Sequence, residues 1–123
     1  MTSGVSSTRH IGEQFELLAR RHLERAGLQM IASNVHCRQG EIDLVMSDDE
    51  TVVFVEVRYR RSDRSGDGFD SVGPAKRNKL IRAASIYLAA NPKLARRPCR
   101  FDVVAVTADG SDVQWQRHAF EAF

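Results

Sequence analysis

The 123-residue chain is 42% hydrophobic and has a formal net charge of +2, which suits one globular core and leaves too little chain for two ordinary domains. It has no long uncharged apolar run, so neither a membrane span nor a secretory signal is expected. Cys37 and Cys99 are the only cysteines and form no C-x-x-C pair, which argues against a disulfide framework and for a reducing, cytoplasmic setting.

Residues 1–10, rich in serine and threonine, read as a flexible tail before a single domain over 11–123. Ile11, Phe15, Leu18, Ala19, His22, Leu23 and Ala26 recur at helical spacing, and Gly27 closes the run. His22 falls within the apolar stripe and reads as a packed core residue. Glu16 lies at the stripe's edge, where spacing alone makes it a solvated helix residue. Leu28–Ile31 is a candidate strand, and the segment from Asn34 to Gly40 leads out of it. His36 and Cys37 adjoin there, but free buried cysteines are common and no further ligand pattern accompanies them.

Two strand-like runs follow, Gly40–Val45 and Val52–Arg58, joined by the polar segment Ser47–Thr51. Antiparallel pairing centred on Asp49 and Glu50 sets Asp43 opposite Glu56, Val45 opposite Phe54 and Glu41 opposite Arg58. By alternation, Glu41, Asp43 and Val45 share one face, with Ile42, Leu44 and Met46 on the other. An amphipathic hairpin with a surface Glu41–Arg58 ion pair accounts for part of this pattern. It leaves Asp43 against Glu56 unexplained, because facing carboxylates repel unless a cation, either a metal ion or Arg58, sits between them.

From Tyr59 to Gly73 the chain is polar and glycine-rich, a long loop of the kind that often carries function. Pro74 suits a helix start, and Leu80, Ile81, Ala84, Tyr87 and Leu88 form the apolar stripe of a second helix ending near Asn91 and Pro92. Between Arg58 and Arg82 basic residues outnumber acidic ones by five. Arg60, Arg61, Lys76, Arg77 and Lys79 in this stretch are candidate phosphate contacts, with the cleft as a second destination for Lys76, although a basic run is usually just a solvated face. Phe101–Val106 reads as a buried strand and Val113–Gln116 as an edge strand after the Asp109–Gly110 turn. For Asp102 an anchoring hydrogen bond or a pair with Arg100 is the expected role. Trp115, Phe120 and Phe123 either pack on the body or offer a partner surface.

An acidic residue on one strand, then acidic, apolar and basic residues on the next, resembles the PD-(D/E)xK nuclease superfamily; here these are Asp43 and Glu56-Val57-Arg58. The wider pattern of Glu16, Ala19, Leu23, Gly27, Asn34, Gly40–Leu44, Phe54–Arg58, Lys76 and Arg100–Val104 is similar to the YraN family, UPF0102, from about Glu16 to Val106. That resemblance implies a restriction-endonuclease-like α/β core, a central mixed sheet flanked by helices. It also implies magnesium-dependent cleavage of nucleic acid, with Asp43 and Glu56 as metal ligands, Glu16 as an auxiliary acid and a distant kinship to archaeal Holliday-junction resolvases. The superfamily usually has lysine where this chain has Arg58.

Phosphodiester hydrolysis needs an activated water and neutralisation of developing negative charge, both of which Mg2+ or Mn2+ supplies. Magnesium takes one or two carboxylates and keeps waters and phosphate oxygens, which suits Asp43 with Glu56. Arginine stays protonated, so Arg58 fits a phosphate clamp rather than a base, with an ion pair to Glu41 as the competing reading. The leading expectation is a metal-dependent endonuclease on DNA, branched or structured by analogy alone. The alternatives are a non-cleaving nucleic-acid-binding module and a self-associating scaffold. A homodimer would fit a two-fold symmetric substrate.

Overall fold

The computed structural model describes residues 4–60, 73–107 and 109–121. Its elements are α1 (Gly4–Arg25), β1 (Gln29–Cys37), β2 (Gly40–Asp48), β3 (Thr51–Arg60), α2 (Pro74–Ala90), α3 (Pro92–Ala95), β4 (Cys99–Thr107) and β5 (Val113–Phe120). The strands form one sheet in the order β1-β2-β3-β4-β5, with β3 and β4 parallel and the other neighbours antiparallel. A parallel pair needs a crossover, and α2 lies within it. The result is the expected α/β architecture, a mixed sheet flanked by helices and compatible with a restriction-endonuclease-like core. Among the described residues no helix is long and apolar enough to cross a membrane.

Helix α1 starts earlier than its apolar periodicity, taking in residues 4–10 of the segment expected to be a tail. Extending a formed helix adds one hydrogen bond per residue, so propagation can outrun the amphipathic pattern. Its C-terminal end follows the sequence closely. Gly27 adopts φ 105°, and the amides of Gly27 and Leu28 donate to the carbonyls of Glu24 and Leu23, a Schellman closure.

The sheet's two faces carry separate cores. Val45, Val52, Phe54, Phe101 and Val103 pack with Leu80, Ala83 and Ala84 of α2. Leu44, Met46, Val53, Val55, Val104 and Val106 pack with Ala19 and Leu23 of α1. The β2–β3 register from Leu44↔Val55 to Asp48↔Thr51 is the expected one, with Asp49 taking φ 55° in the turn. Ile42 departs from the expectation. Simple alternation placed it with Leu44, yet it packs in the α2-side cluster beside Val45.

The physical reason lies next door in β1. Asn34 adopts φ 50°, and the β1–β2 ladder pairs Ser33↔Leu44 and Val35↔Ile42 on either side of it. A left-handed residue re-aims the chain, and asparagine is among the few side chains that tolerate it.

On β4, opposite Val55 of β3, Asp102 is a structural hub. Its carboxylate accepts from Arg100 Nε at 3.0 Å, Trp115 Nε1 at 2.9 Å and the His118 amide at 2.9 Å. Arg100 Nη1 also reaches Asp48 Oδ2 at 3.0 Å. Trp115 packs on the α1-side core, and Phe120 stacks on Phe101 with centroids 4.9 Å apart; Phe123 lies outside the described residues. Asp102→Ala strips acceptors from two buried or half-buried donors and half of Arg100's pairing. We expect a loss of about 3–5 kcal/mol in denaturant unfolding, and a loss below about 1 kcal/mol would remove Asp102 from this role.

Candidate functional site

β2 and β3 part company at Asp43. Their ladder begins at Leu44↔Val55 and does not extend to Asp43, Ile42 or Glu41. Instead, the Asp43 carboxylate accepts the Val57 amide at 2.8 Å, so a side-chain oxygen bonds where a strand carbonyl would. This fork overturns the expected Glu41–Arg58 opposition. Glu41 pairs across β1 with His36, whose Nδ1 lies 3.3 Å from Glu41 Oε2. Arg58 runs alongside Ala105 of β4.

Four elements converge on the fork. Glu16 comes from α1, Asn34 from β1, Asp43 from β2 and Glu56 from β3. Asn34 and Asp43 lie beside the Glu16 carboxyl. Burial raises that carboxyl above its ordinary value, opposed by Asn34 and Asp43 and reinforced by Glu41 and Glu13. Asp43 is pushed up to about 7, first by burial and then by the charge of Glu56, with Glu16 and Glu41 adding to it. The Val57 amide pulls the other way and does not win.

The cation that meets this acidic group is Lys76 from the first turn of α2. Its Nζ lies 3.0 Å from Glu56 Oε2, and the Glu56 side chain is only 6% exposed against 51% for Lys76. Sequence reasoning gives Lys76 a reach to substrate phosphate or to the cleft, and the pair with Glu56 is the specific contact that it does not name. It also gave Asn34 no role, although a lone asparagine at a strand break is a recognisable signal for left-handed backbone.

The other basic candidates separate. Arg60 is corrected: it is 2% exposed and pairs with Asp112, so it cannot track phosphate from the surface. Alternation turns it inward beside Tyr59, and counting charge along the sequence ignored that face. Arg61 lies outside the described residues, as does the loop over 61–72. Arg77 is exposed, with its guanidinium 5.4 Å from the Phe120 ring. Lys79 is exposed and packs its Cβ over Gly40, which turns at φ 159° beneath it. Tyr59 exposes half of its ring and stacks on Phe15 at 5.3 Å. His22 meets Trp115 edge-on, and both cysteines are free thiols.

The profile of the family described as "Uncharacterised protein family UPF0102" matches residues 15–106, a span that includes Glu16, the fork and β4 as far as Val106. The chain belongs to UPF0102. It is 50% identical over 119 residues to a UPF0102 protein of Ectopseudomonas mendocina (strain ymp), covering 96% of this chain and 100% of that relative. A UPF0102 protein of Stutzerimonas stutzeri (strain A1501) is 49% identical over 120 residues, covering 96% and 100%. One from Xylella fastidiosa (strain 9a5c) is 52% identical over 112 residues, covering 91% and 93%. The UPF0102 chain thus aligns with these relatives over nearly its whole length.

The electrostatics of the fork make stability depend on pH. Between 3.8 and about 7 the folded UPF0102 chain keeps a proton on Asp43 that the unfolded chain has released. Stability from this group is therefore complete below the unfolded value and falls as pH rises towards 7. Asp43→Asn keeps an oxygen for the Val57 amide and removes the charge. In EDTA it should raise the melting temperature at pH 8 by about 5 °C, corresponding to roughly 1 kcal/mol, with a smaller gain at pH 5. Equal shifts at both pH values, read by thermal unfolding, would count against the assignment.

Proposed function

We propose that this UPF0102 chain is a metal-dependent endonuclease that hydrolyses phosphodiester bonds in DNA, with branched or structured DNA suggested by fold-level analogy. The observation that carries the reading is the Asp43–Glu56 pair at the β2–β3 fork, where burial and the charge of Glu56 raise Asp43 to about 7 although Lys76 pairs with Glu56. A hard divalent ion offsets that repulsion. Among the described residues no three His, Cys, Asp or Glu side chains form a ready cage. An ion held by Asp43 and Glu56 would complete its shell with water and phosphate oxygens, the habit of Mg2+ and Mn2+ rather than of a structural zinc.

Such an ion, when bound, lowers the pKa of water and neutralises charge on the phosphoryl oxygens. The chain's own residues do the rest. The Val57 amide fixes one Asp43 oxygen and leaves its remaining lone pairs to face the fork. Glu16 approaches Asp43 from the α1 side, with Asn34 beside it. Arg58 follows Glu56 by two residues on the same strand face and is suited to grip a phosphate oxygen with two parallel donors. It cannot take a proton, so its contribution is electrostatic. Lys79 and Arg77 supply further positive charge on α2, and the exposed Tyr59 ring offers a face on which a base can stack.

Calorimetric titration with Mg2+ and Mn2+, followed by cleavage of linear, single-stranded, flapped and four-way DNA, tests the proposal. Wild type should bind the ion and cut at least one substrate. Asp43→Asn and Glu56→Gln should bind less metal and cut at least about 100-fold more slowly, the scale of removing one charge-stabilising group. Metal uptake no better than in these variants would sink the reading. Salt-dependent DNA binding without any cutting in either metal would instead favour the non-cleaving module.

A further inference from the structure

We infer that Lys76 is a resident counter-ion that yields Glu56 to a divalent cation and then carries its charge to a phosphate of the bound nucleic acid. This rests on the nuclease reading above and adds a moving part to it. Glu56 is fixed: it is buried, and its backbone lies in the parallel ladder opposite Val103 of β4. Lys76 is not fixed in the same way. Half of its side chain meets solvent, and its four-carbon stem reaches in from α2 to place Nζ 3.0 Å from Glu56 Oε2.

Two physical facts make the contact an exchange point. A buried carboxylate needs a cation, and in the metal-free chain Lys76 is the ion pair that Glu56 makes among the described residues. An ammonium group on Oε2 then stands where a divalent ion must coordinate, and two cations a few ångströms apart repel. Loading the ion therefore releases Lys76.

The helix also favours the second half of the exchange. The first turn of α2 contains no acidic residue, and Lys76, Arg77 and Lys79 crowd its N-terminal half. Cations are disfavoured at that positive end of a helix dipole. Once Lys76 loses Glu56, it lacks the anion that offset this arrangement. A phosphate brought to the fork by the metal and Arg58 is the anion within its reach. Lys76 thereby couples metal binding to nucleic-acid binding, with each promoting the other.

The test uses the full chain, Mn2+ alone as the metal probe, and a fluorescently labelled DNA duplex read by anisotropy in EDTA or in Ca2+. Lys76→Met should lower the metal-free melting temperature while leaving the chain folded, and should tighten Mn2+ binding without DNA by about fivefold or more. The same substitution should weaken DNA binding several-fold in Ca2+ and leave it nearly unchanged in EDTA, where wild-type Lys76 is tied to Glu56. Lys76→Arg, which keeps the charge, should restore metal-free stability. Mn2+ affinity that is unchanged or weaker in Lys76→Met, or an equal loss of DNA affinity with and without Ca2+, overturns the inference alone. A wild-type chain that takes up no divalent ion overturns the nuclease reading and this inference together.

Discussion

Burying carboxylates without matching cations is costly, and the β2–β3 fork depends on that constraint more than on any contact. Asp43 is raised to about 7 by its burial and by Glu56, while among the described residues Lys76 forms the ion pair to that buried partner. A stability-driven design would place one carboxylate here, or an apolar pair. Natural chains keep such unfavourable clusters chiefly where charge has work to perform.

The fold supplies the cluster by interrupting its own regularity. A continuous ladder would pair Asp43 through its backbone and pass on to Glu41. Asn34 in the left-handed region breaks alternation in β1 and β2, and the Asp43 side chain takes the Val57 amide that the ladder gives up. The parallel β3–β4 pair requires a crossover, and its helix brings Lys76 over Glu56. Helix α1, closed at Gly27, delivers Glu16 from the opposite face. The hydrophobic cores on both faces pack these elements together, and Arg100, Asp102 and Trp115 tie β4 to β5.

Much of this was legible in the residues themselves. Alternation and the polar turn set the register from Leu44 to Asp48 against β3, and the helical spacing of Phe15, Ala19 and Leu23 located the face of α1. Asp102 was read correctly as an anchor, because an aspartate next to Arg100 in a buried strand needs a partner. The failures share a cause. Period-two reasoning assumes an unbroken strand, so it set Glu41 against Arg58 and Ile42 with Leu44, whereas β2 leaves β3 at Asp43 and Ile42 packs on the other face. Counting charge along the chain gave Arg60 a surface role, when β-strand geometry turns it inward to Asp112. The Lys76–Glu56 pair spans a crossover, and no local pattern reports which helix residue lands over which strand.

Asp43 resists ionisation because it is buried beside Glu56, and a hard cation at the fork would favour its charged form. Carboxyl 13C NMR across a pH titration, with and without Mg2+, measures this directly. In EDTA Asp43 should titrate near 7, and with Mg2+ its midpoint should drop to well below that value because the ion favours the charged form. A midpoint in the ordinary carboxylate range without metal, or one that Mg2+ leaves unmoved, would contradict the account.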